Sequence, residues 1–297
     1  MAVHDIGYVE LYTRDTVPAV DYFVSAMGFI RVADSVEPER SSVLLQKGEV
    51  RLVVTSGRGI VRFLEQHGDG IVDTALTCDA VAATAVAAAS AGATVTRSLQ
   101  GLPVVSGFGD VVHAPLPTDR LVNGTPGSRS WSPAPRVTAT AATGRVTGLD
   151  HIAVCLEGGT LEKYADFYRD VFGFPRYSSE YVAVGAQAMD SIVVHSDSGG
   201  VALLDTPDSY YDMLGERLGE RLGERLGGLH AQVEELRETK VPADHDEWGD
   251  LLQVFTRSPY PRNTLFFELI QRNGSRGSGS ADIRALYEAV ELDRLTS

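Results

Sequence analysis

The chain has 297 residues, of which 43% are hydrophobic, and its formal net charge at pH 7 is −14. This length and apolar content suffice for two modest domains with buried cores. The acidic balance and the absence of a basic run argue against nucleic acid or an anionic membrane as a partner.

Cys78 and Cys155 lie in apolar, strand-like runs without metal-binding spacing, which is typical of packed thiols in a reducing compartment. The N-terminus lacks a basic region followed by an apolar core, and no apolar run approaches the length that spans a bilayer. We therefore expect a cytoplasmic protein without membrane contact.

The first part of the chain alternates short strands with single helices. A strand, a helix and three further strands are predicted at 6–12, 17–27, 29–33, 42–46 and 50–55. The same order, with an alanine-rich helix closed by Gly92, is predicted at 70–77, 80–91, 94–99, 102–106 and 111–114. These patterns indicate two βαβββ units in a domain at residues 1–114.

Residues 115–144 are rich in Pro, Ser, Thr and Gly, which predicts a linker. The second domain, 145–297, begins with a third unit predicted at 148–154, 160–172, 181–185, 189–195 and 201–204. A fourth unit should follow, but its first strand and helix are absent. Repetition of one supersecondary unit predicts an α+β chain of tandem βαβββ units in which the fourth is incomplete.

The tract from Gly215 to Leu226 repeats Gly-Glu-Arg-Leu three times. Its leucines would form a slowly drifting helical stripe, because a period of four is not 3.6. Each internal glycine weakens such a helix by about 1 kcal/mol. A repeat expansion tolerated on the surface is therefore favoured over a partner-binding helix.

Two strands are predicted near the C-terminus, at 251–256 and 264–272. Because side chains alternate along a strand, each strand presents an apolar face with one polar residue at its middle. The two faces are Leu251, Gln253, Phe255 and Phe266, Glu268, Ile270. A carboxylate is costly to bury unless a cation meets it, so Glu268 predicts either a metal ligand or an edge residue facing water.

Six segments carry a family resemblance that extends over nearly the whole chain. They are GFGDVVH at 107–113, GLDHIAVC at 148–155, GAQAMDS at 185–191, LQVFT at 252–256, LFFE at 265–268 and ALYEAVEL at 285–292. Together they resemble the 4-hydroxyphenylpyruvate dioxygenase family of the vicinal-oxygen-chelate superfamily, and within it the 4-hydroxymandelate synthase branch. The resemblance implies an oxidoreductase of aromatic amino acid metabolism, with two half-barrel domains and a non-haem Fe(II) in the second.

The resemblance also implies a metal site and a pocket. By motif, His151 matches the first histidine ligand and Glu268 matches the carboxylate ligand of Fe(II). Gln253 matches a polar residue near the bound oxo acid, and Ser191 matches a hydroxyl lining the pocket. The implied reactants are an aromatic 2-oxo acid and O₂.

Two chemistries of the family compete. After oxidative decarboxylation of 4-hydroxyphenylpyruvate, the dioxygenase hydroxylates the ring to homogentisate, and the synthase hydroxylates the benzylic carbon to 4-hydroxymandelate. Phe255 and Phe266 match aromatics that flank the substrate ring. Ile283 stands where dioxygenases usually have Phe and synthases usually have Ile, which favours the synthase.

The family's second histidine ligand has no counterpart in this sequence. His195, His230 and His245 lie in contexts that do not match, and each is expected at a solvated surface, His245 in a polar loop at 243–247. A block of roughly fifty residues, about one repeat unit, is missing after Leu204.

Three hypotheses remain open. The protein is a working iron dioxygenase, or it is a catalytically impaired relic that binds an aromatic acid. In the third, two chains form a homodimer and complete each other's barrel by exchanging strands.

Overall fold

The computed structural model describes residues 3–98, 100–117, 125–126, 129–134, 146–184, 187–196, 200–205, 243–246, 248–255, 259–260, 265 and 267–276. The described strands form three sheets, and helices accompany the first two, so the α+β class is confirmed. The chain divides into two units. The first is Met1–Ala153, Glu162–Tyr177 and Val194–Ala202, and the second is Val154–Leu161, Ser178–Val193 and Leu203–Ser297. The domain boundaries at 114 and 145 stay a prediction.

The first unit contains the largest sheet. Its strands are β1 (Val3–Tyr12), β2 (Ile30–Glu37), β3 (Arg40–Lys47), β4 (Val50–Ser56), β5 (Gly70–Cys78), β6 (Val95–Arg97), β7 (Pro103–Ser106), β8 (Val112–His113), β9 (Pro115–Pro117) and β10 (Ser132–Pro133). Their order is β10-β2-β3-β4-β1-β5-β8-β7-β6, with β9 beside β5. The first strands of the two predicted units, β1 and β5, are central antiparallel neighbours. The predicted repeat is therefore present.

The helices of this unit differ in detail from the prediction. The element predicted at 17–27 is an α-helix, α1 (Thr16–Asp21), that continues as a π-helix, Tyr22–Ala26. Asp15 caps α1 by accepting a hydrogen bond from the Val17 amide at 2.9 Å. A short helix that was not predicted, α2 (Val61–His67), precedes β5, and α3 (Val81–Ser90) follows it.

Two short strands lie inside the segment predicted as a linker. β9 pairs with β5 and buries Leu116 completely, and β10 pairs with β2. The prolines in these strands are tolerated because proline can lie at strand ends and sheet edges. Composition alone thus misses two sheet contacts that depend on distant partners.

The third predicted βαβββ repeat is also present. Its elements are β11 (His151–Leu156), α4 (Leu161–Phe172), β12 (Arg176–Val184), β13 (Gln187–His195) and β14 (Gly200–Asp205), with sheet order β11-β14-β13-β12. Helix α4 buries Leu161, Ala165, Tyr168 and Phe172, a stripe at helical spacing. It ends at Gly173 (φ 74°), where the amides of Gly173 and Phe174 donate to the carbonyls of Arg169 and Tyr168.

The third sheet has the order β15 (Ala243–Asp246), β16 (Gly249–Phe255) and β17 (Glu268–Asn273). The prediction of a loop at 243–247 is wrong for residues 243–246, since backbone pairing with β16 makes them a strand. The strand predicted from residue 264 begins at Glu268. The Gly-Glu-Arg-Leu tract lies outside the described residues.

No helix in the described parts of the chain is long and apolar enough to cross a membrane. Cys78 is buried, and neither cysteine forms a disulfide. The cytoplasmic location and the homodimer stay predictions.

Candidate metal centre

The pairing of β16 with β17 brings two predicted site residues onto one face. Gln253 lies opposite Ile270, and Phe255 lies opposite Glu268. Directly opposed residues of an antiparallel pair share a face, so Gln253 and Glu268 are diagonal neighbours with Cα atoms about 7–8 Å apart. Gln253 is 1% exposed, whereas Leu269, on the opposite face, is 43% exposed. The predicted alternation is confirmed for these residues.

The Glu268 side chain is half-buried, and its Oε1 atom is shielded from solvent. A carboxylate oxygen shielded in this way is typical of a group that meets a cation or hydrogen-bond donors. This disfavours the alternative in which Glu268 is an edge residue facing water.

Gln253 is buried, and among the described residues its Oε1 has no hydrogen-bond partner. Leaving a buried acceptor unpaired costs about 1–3 kcal/mol. A ligand atom or a water would satisfy it.

His151 has an oriented imidazole. Its Nδ1 lies 2.9 Å from Oδ2 of Asp150, and the two side chains are 19% and 34% exposed. A carboxylate accepting from Nδ1–H selects the neutral tautomer whose lone pair is on Nε2, the form that binds metals. Asp150 was not singled out from the sequence, although a carboxylate beside a candidate histidine ligand is a signal for this role.

The other predicted site residues are less fully described. Ser191 is half-buried in β13. Phe255 is placed by its backbone pairing in β16, while Phe266 and Ile283 lie outside the described residues. His151 belongs to the first unit, and Ser191, Gln253 and Glu268 belong to the second. The site assignments as a set stay a prediction.

The remaining histidines of the second half do not complete a site. His195 ends β13, and its half-buried ring packs 5.2 Å from the ring of Tyr177, so its predicted solvated position stays a prediction. His245 lies in β15 opposite Asp250, not in a loop, because β15 pairs with β16. His230 lies outside the described residues.

Each taken by itself, the His151 imidazole and the Glu268 carboxylate are donor types found in Fe(II) sites of the two-histidine, one-carboxylate kind. An oriented neutral imidazole and a shielded carboxylate are the donors that such a site uses. Within the described residues, however, no group of three or more His, Cys, Asp or Glu side chains could hold a metal ion. His151 and Glu268 therefore stay separate candidate donors.

Comparison with known proteins agrees with this fold. A model of the Glyoxalase/Bleomycin resistance protein/Dioxygenase superfamily matches residues 148–256, which contain His151, Ser191 and Gln253. The fold is thus of the vicinal-oxygen-chelate type.

Full-length relatives narrow this class. The structure of a mutant 4-hydroxymandelate synthase from Streptomyces coelicolor is 38% identical and covers 99% of this chain and 100% of its own, with a TM-score of 0.80. A 4-hydroxyphenylpyruvate dioxygenase of Coccidioides posadasii is 24% identical over 97% of this chain and 92% of its own. The chain belongs to the family of 4-hydroxyphenylpyruvate dioxygenases and 4-hydroxymandelate synthases.

One further relative matches only part of this chain, and one full-length alignment is longer than the chain itself. A 4-hydroxyphenylpyruvate dioxygenase of Danio rerio is 33% identical over 43% of this chain and 30% of its own. The alignment with the Coccidioides protein extends over 371 positions, more than the 297 residues of this chain. That relative therefore has residues without a counterpart here, as a missing block requires.

Proposed function

We propose that this protein is an Fe(II)-dependent dioxygenase that decarboxylates and hydroxylates 4-hydroxyphenylpyruvate with O₂, giving 4-hydroxymandelate. The observation that carries the proposal is on the shared face of β16 and β17. There Gln253, whose buried Oε1 has no hydrogen-bond partner among the described residues, is a diagonal neighbour of Glu268, whose Oε1 is shielded from solvent. The 38% identity to a 4-hydroxymandelate synthase over both full chains supports the choice of reaction.

Iron would be held by Nε2 of His151 and the carboxylate of Glu268. When bound, Fe(II) supplies the redox chemistry that lets O₂ react with a closed-shell oxo acid. Asp150 keeps the His151 imidazole in its metal-binding tautomer by accepting from Nδ1–H at 2.9 Å.

Gln253 would orient the substrate. Its amide is both a donor and an acceptor, so it can bind a phenol hydroxyl or an acid oxygen of the substrate. Leu251, 1% exposed on the same face, excludes water from that contact. Ser191, Phe255, Phe266 and Ile283 are proposed to line the pocket around the substrate.

The proposed reaction balances with one O₂ per substrate. The oxo acid loses its carboxyl carbon as CO₂, one oxygen atom enters the new carboxylate, and the other forms the hydroxyl group. Benzylic hydroxylation gives 4-hydroxymandelate, and ring hydroxylation would give homogentisate. Ile283 favours the benzylic product.

A second candidate is a catalytically impaired protein that binds the aromatic acid without turning it over. It is favoured by one observation, that the described residues provide no third protein donor for iron. Gln253 would serve binding equally well in this case.

Anaerobic titration with Fe(II), followed by addition of the oxo acid and O₂, tests the proposal. We expect O₂ uptake matched by CO₂ release, with 4-hydroxymandelate as the product identified by chromatography. Glu268→Gln should reduce turnover by at least about tenfold, because it replaces a charged ligand by a neutral one.

The matched control is Gln271→Ala, which changes an exposed residue on the other face of the same strand and should leave turnover unchanged. Homogentisate as the sole product would contradict the product assignment. Oxo-acid binding without O₂ uptake at any iron concentration would establish the second candidate.

A further inference from the structure

The first unit contains a buried pair of like charges that the proposed reaction does not use. Glu10 in β1 lies directly opposite Asp73 in β5, and the residues are 3% and 6% exposed. Two carboxylates facing each other across a strand pair repel, and burial strengthens the repulsion. Such a pair persists only if a cation or protons neutralise it.

The cation is Arg129, which is 7% exposed. Its Nη2 donates to Oε2 of Glu10 at 2.6 Å, and its Nη1 donates to the hydroxyls of Ser42 and Thr55 at 2.5 and 3.2 Å. The Thr55 hydroxyl in turn donates to Oε1 of Glu10 at 2.7 Å. A carboxylate and two hydroxyls, each from a different strand, thus accept hydrogen bonds from the guanidinium.

Arg129 belongs to a short segment, residues 129–134, that we call the strap. The Trp131 ring lies 5.8 Å from the Arg129 guanidinium carbon, and its Nε1 donates to the Pro126 carbonyl at 2.8 Å. Backbone pairing of Ser132 with Asp34 extends the contact to β2. Within the described residues, Arg129 is the charged group that fastens the strap to the interior.

The hydrogen bonding of the Arg129 guanidinium is incomplete. Among the described residues, Nε of Arg129 is buried without a hydrogen-bond partner. A buried donor left unpaired opposes docking of the guanidinium. The strap is therefore held by an ion pair that leaves one N–H of the guanidinium unsatisfied.

The charges around Asp73 link docking to protonation. Burial and the facing Glu10 raise the pKa of Asp73 to about 7, against hydrogen bonds from the Tyr8 hydroxyl and the Ala114 amide and the charge of Arg129. Tyr12 and Arg40 are the next ionisable groups around Glu10 and Arg129. On the adjacent strand, the His113 imidazole is directed to the Thr74 carbonyl.

We propose that the face of the first sheet bearing Glu10 and Asp73 is a receptor for a guanidinium group, that Arg129 is its tethered ligand, and that the strap is consequently a latch loosened by acid. The direction follows from linkage. Arg129 lowers the pKa of Asp73, so undocking raises that pKa above about 7. Docking is strongest when Asp73 is ionised and weakens as the pH falls to about 7 and below.

The first test is chemical rescue of Arg129→Ala by guanidinium chloride on the order of 20 mM, well below denaturing concentrations. We expect the variant to have a lowered Tm at pH 8 and to regain about 2–4 °C with guanidinium but not with sodium chloride. The control is Arg31→Ala, which removes a half-exposed surface ion pair with Asp34. Equal responses of the two variants to guanidinium would overturn the receptor.

The second test remains decisive if Arg129→Ala does not fold. Trp131 and Trp248 are the two tryptophans, so Trp248→Phe makes Trp131 the sole tryptophan whose fluorescence is followed. Acrylamide should quench Trp131 more strongly at pH 6 than at pH 9, and Asp73→Asn in the same background should abolish the difference. Quenching independent of pH, or an unchanged pH difference in Asp73→Asn, would overturn the latch.

Discussion

At the residue scale, the candidate site depends on polar atoms that are enclosed rather than solvated. Gln253 and Glu268 were identified from alternation because each interrupts an apolar face. Asp150 was missed because its role depends on a contact with the next residue, His151, and not on periodicity. Asp73 interrupts the apolar strand β5 in the same way as Glu268 interrupts the apolar run predicted as a strand at 264–272, so it carried a similar signal.

The role of Asp150 gives a prediction at this scale. Asp150→Asn should weaken binding of Fe(II), or of Co(II) as a probe, by about 10–100-fold, because loss of the carboxylate removes the orientation of the imidazole. Calorimetric titration of the metal measures this directly. Asp170→Asn, an exposed carboxylate in α4, should leave metal affinity unchanged. Equal affinities of Asp150→Asn and the unmodified protein would show that Asp150 does not position His151.

At the scale of elements, helix α4 is joined to the first sheet by a buried polar contact. His113 in β8 directs Nδ1 to the Thr74 carbonyl at 3.1 Å and Nε2 to the Tyr168 hydroxyl at 2.9 Å. Because a carbonyl only accepts, Nδ1 carries the proton and Nε2 accepts from Tyr168. Gly107 makes room for the ring, since a Cβ there would lie 2.7 Å from Nε2.

Tyr168→Phe tests this contact. It should lower the free energy of unfolding by about 1–3 kcal/mol, because Nε2 of His113 would remain buried without a donor. Urea denaturation measures the change. Tyr177→Phe, at a position that is 49% exposed, is the matched control and should have a small effect. Similar losses in both variants would mean that the His113 contact contributes little.

At the scale of the whole molecule, two buried groups make stability depend on pH in opposite directions. Burial lowers the pKa of His113 from 6.5 to about 4, so its contribution is present above pH 6.5 and is lost as pH falls towards 4. Burial and Glu10 raise the pKa of Asp73 from 3.8 to about 7, so its contribution is present below pH 3.8 and is lost as pH rises towards 7.

Single substitutions should separate these contributions. Relative to the unmodified protein, His113→Gln should lose more stability at pH 7.5 than near pH 4.5, because the native state no longer gains from a neutral imidazole. Asp73→Asn should become relatively more stable as pH rises over the same window. Unfolding free energies from urea titrations at the two pH values provide the comparison, and parallel pH profiles for all three proteins would contradict both assignments.

Sequence patterns alone were enough for the order of most strands and helices, for the repeat of βαβββ units and for the polar residues on the faces of β16 and β17. These follow from local periodicity, since a side chain's face depends on its neighbours along the strand. Only the tertiary structure decided that Glu10 faces Asp73, that Arg129 reaches Glu10 from 119 residues away and that His113 meets Tyr168. Such pairings depend on register and on packing between distant segments, which no local pattern encodes.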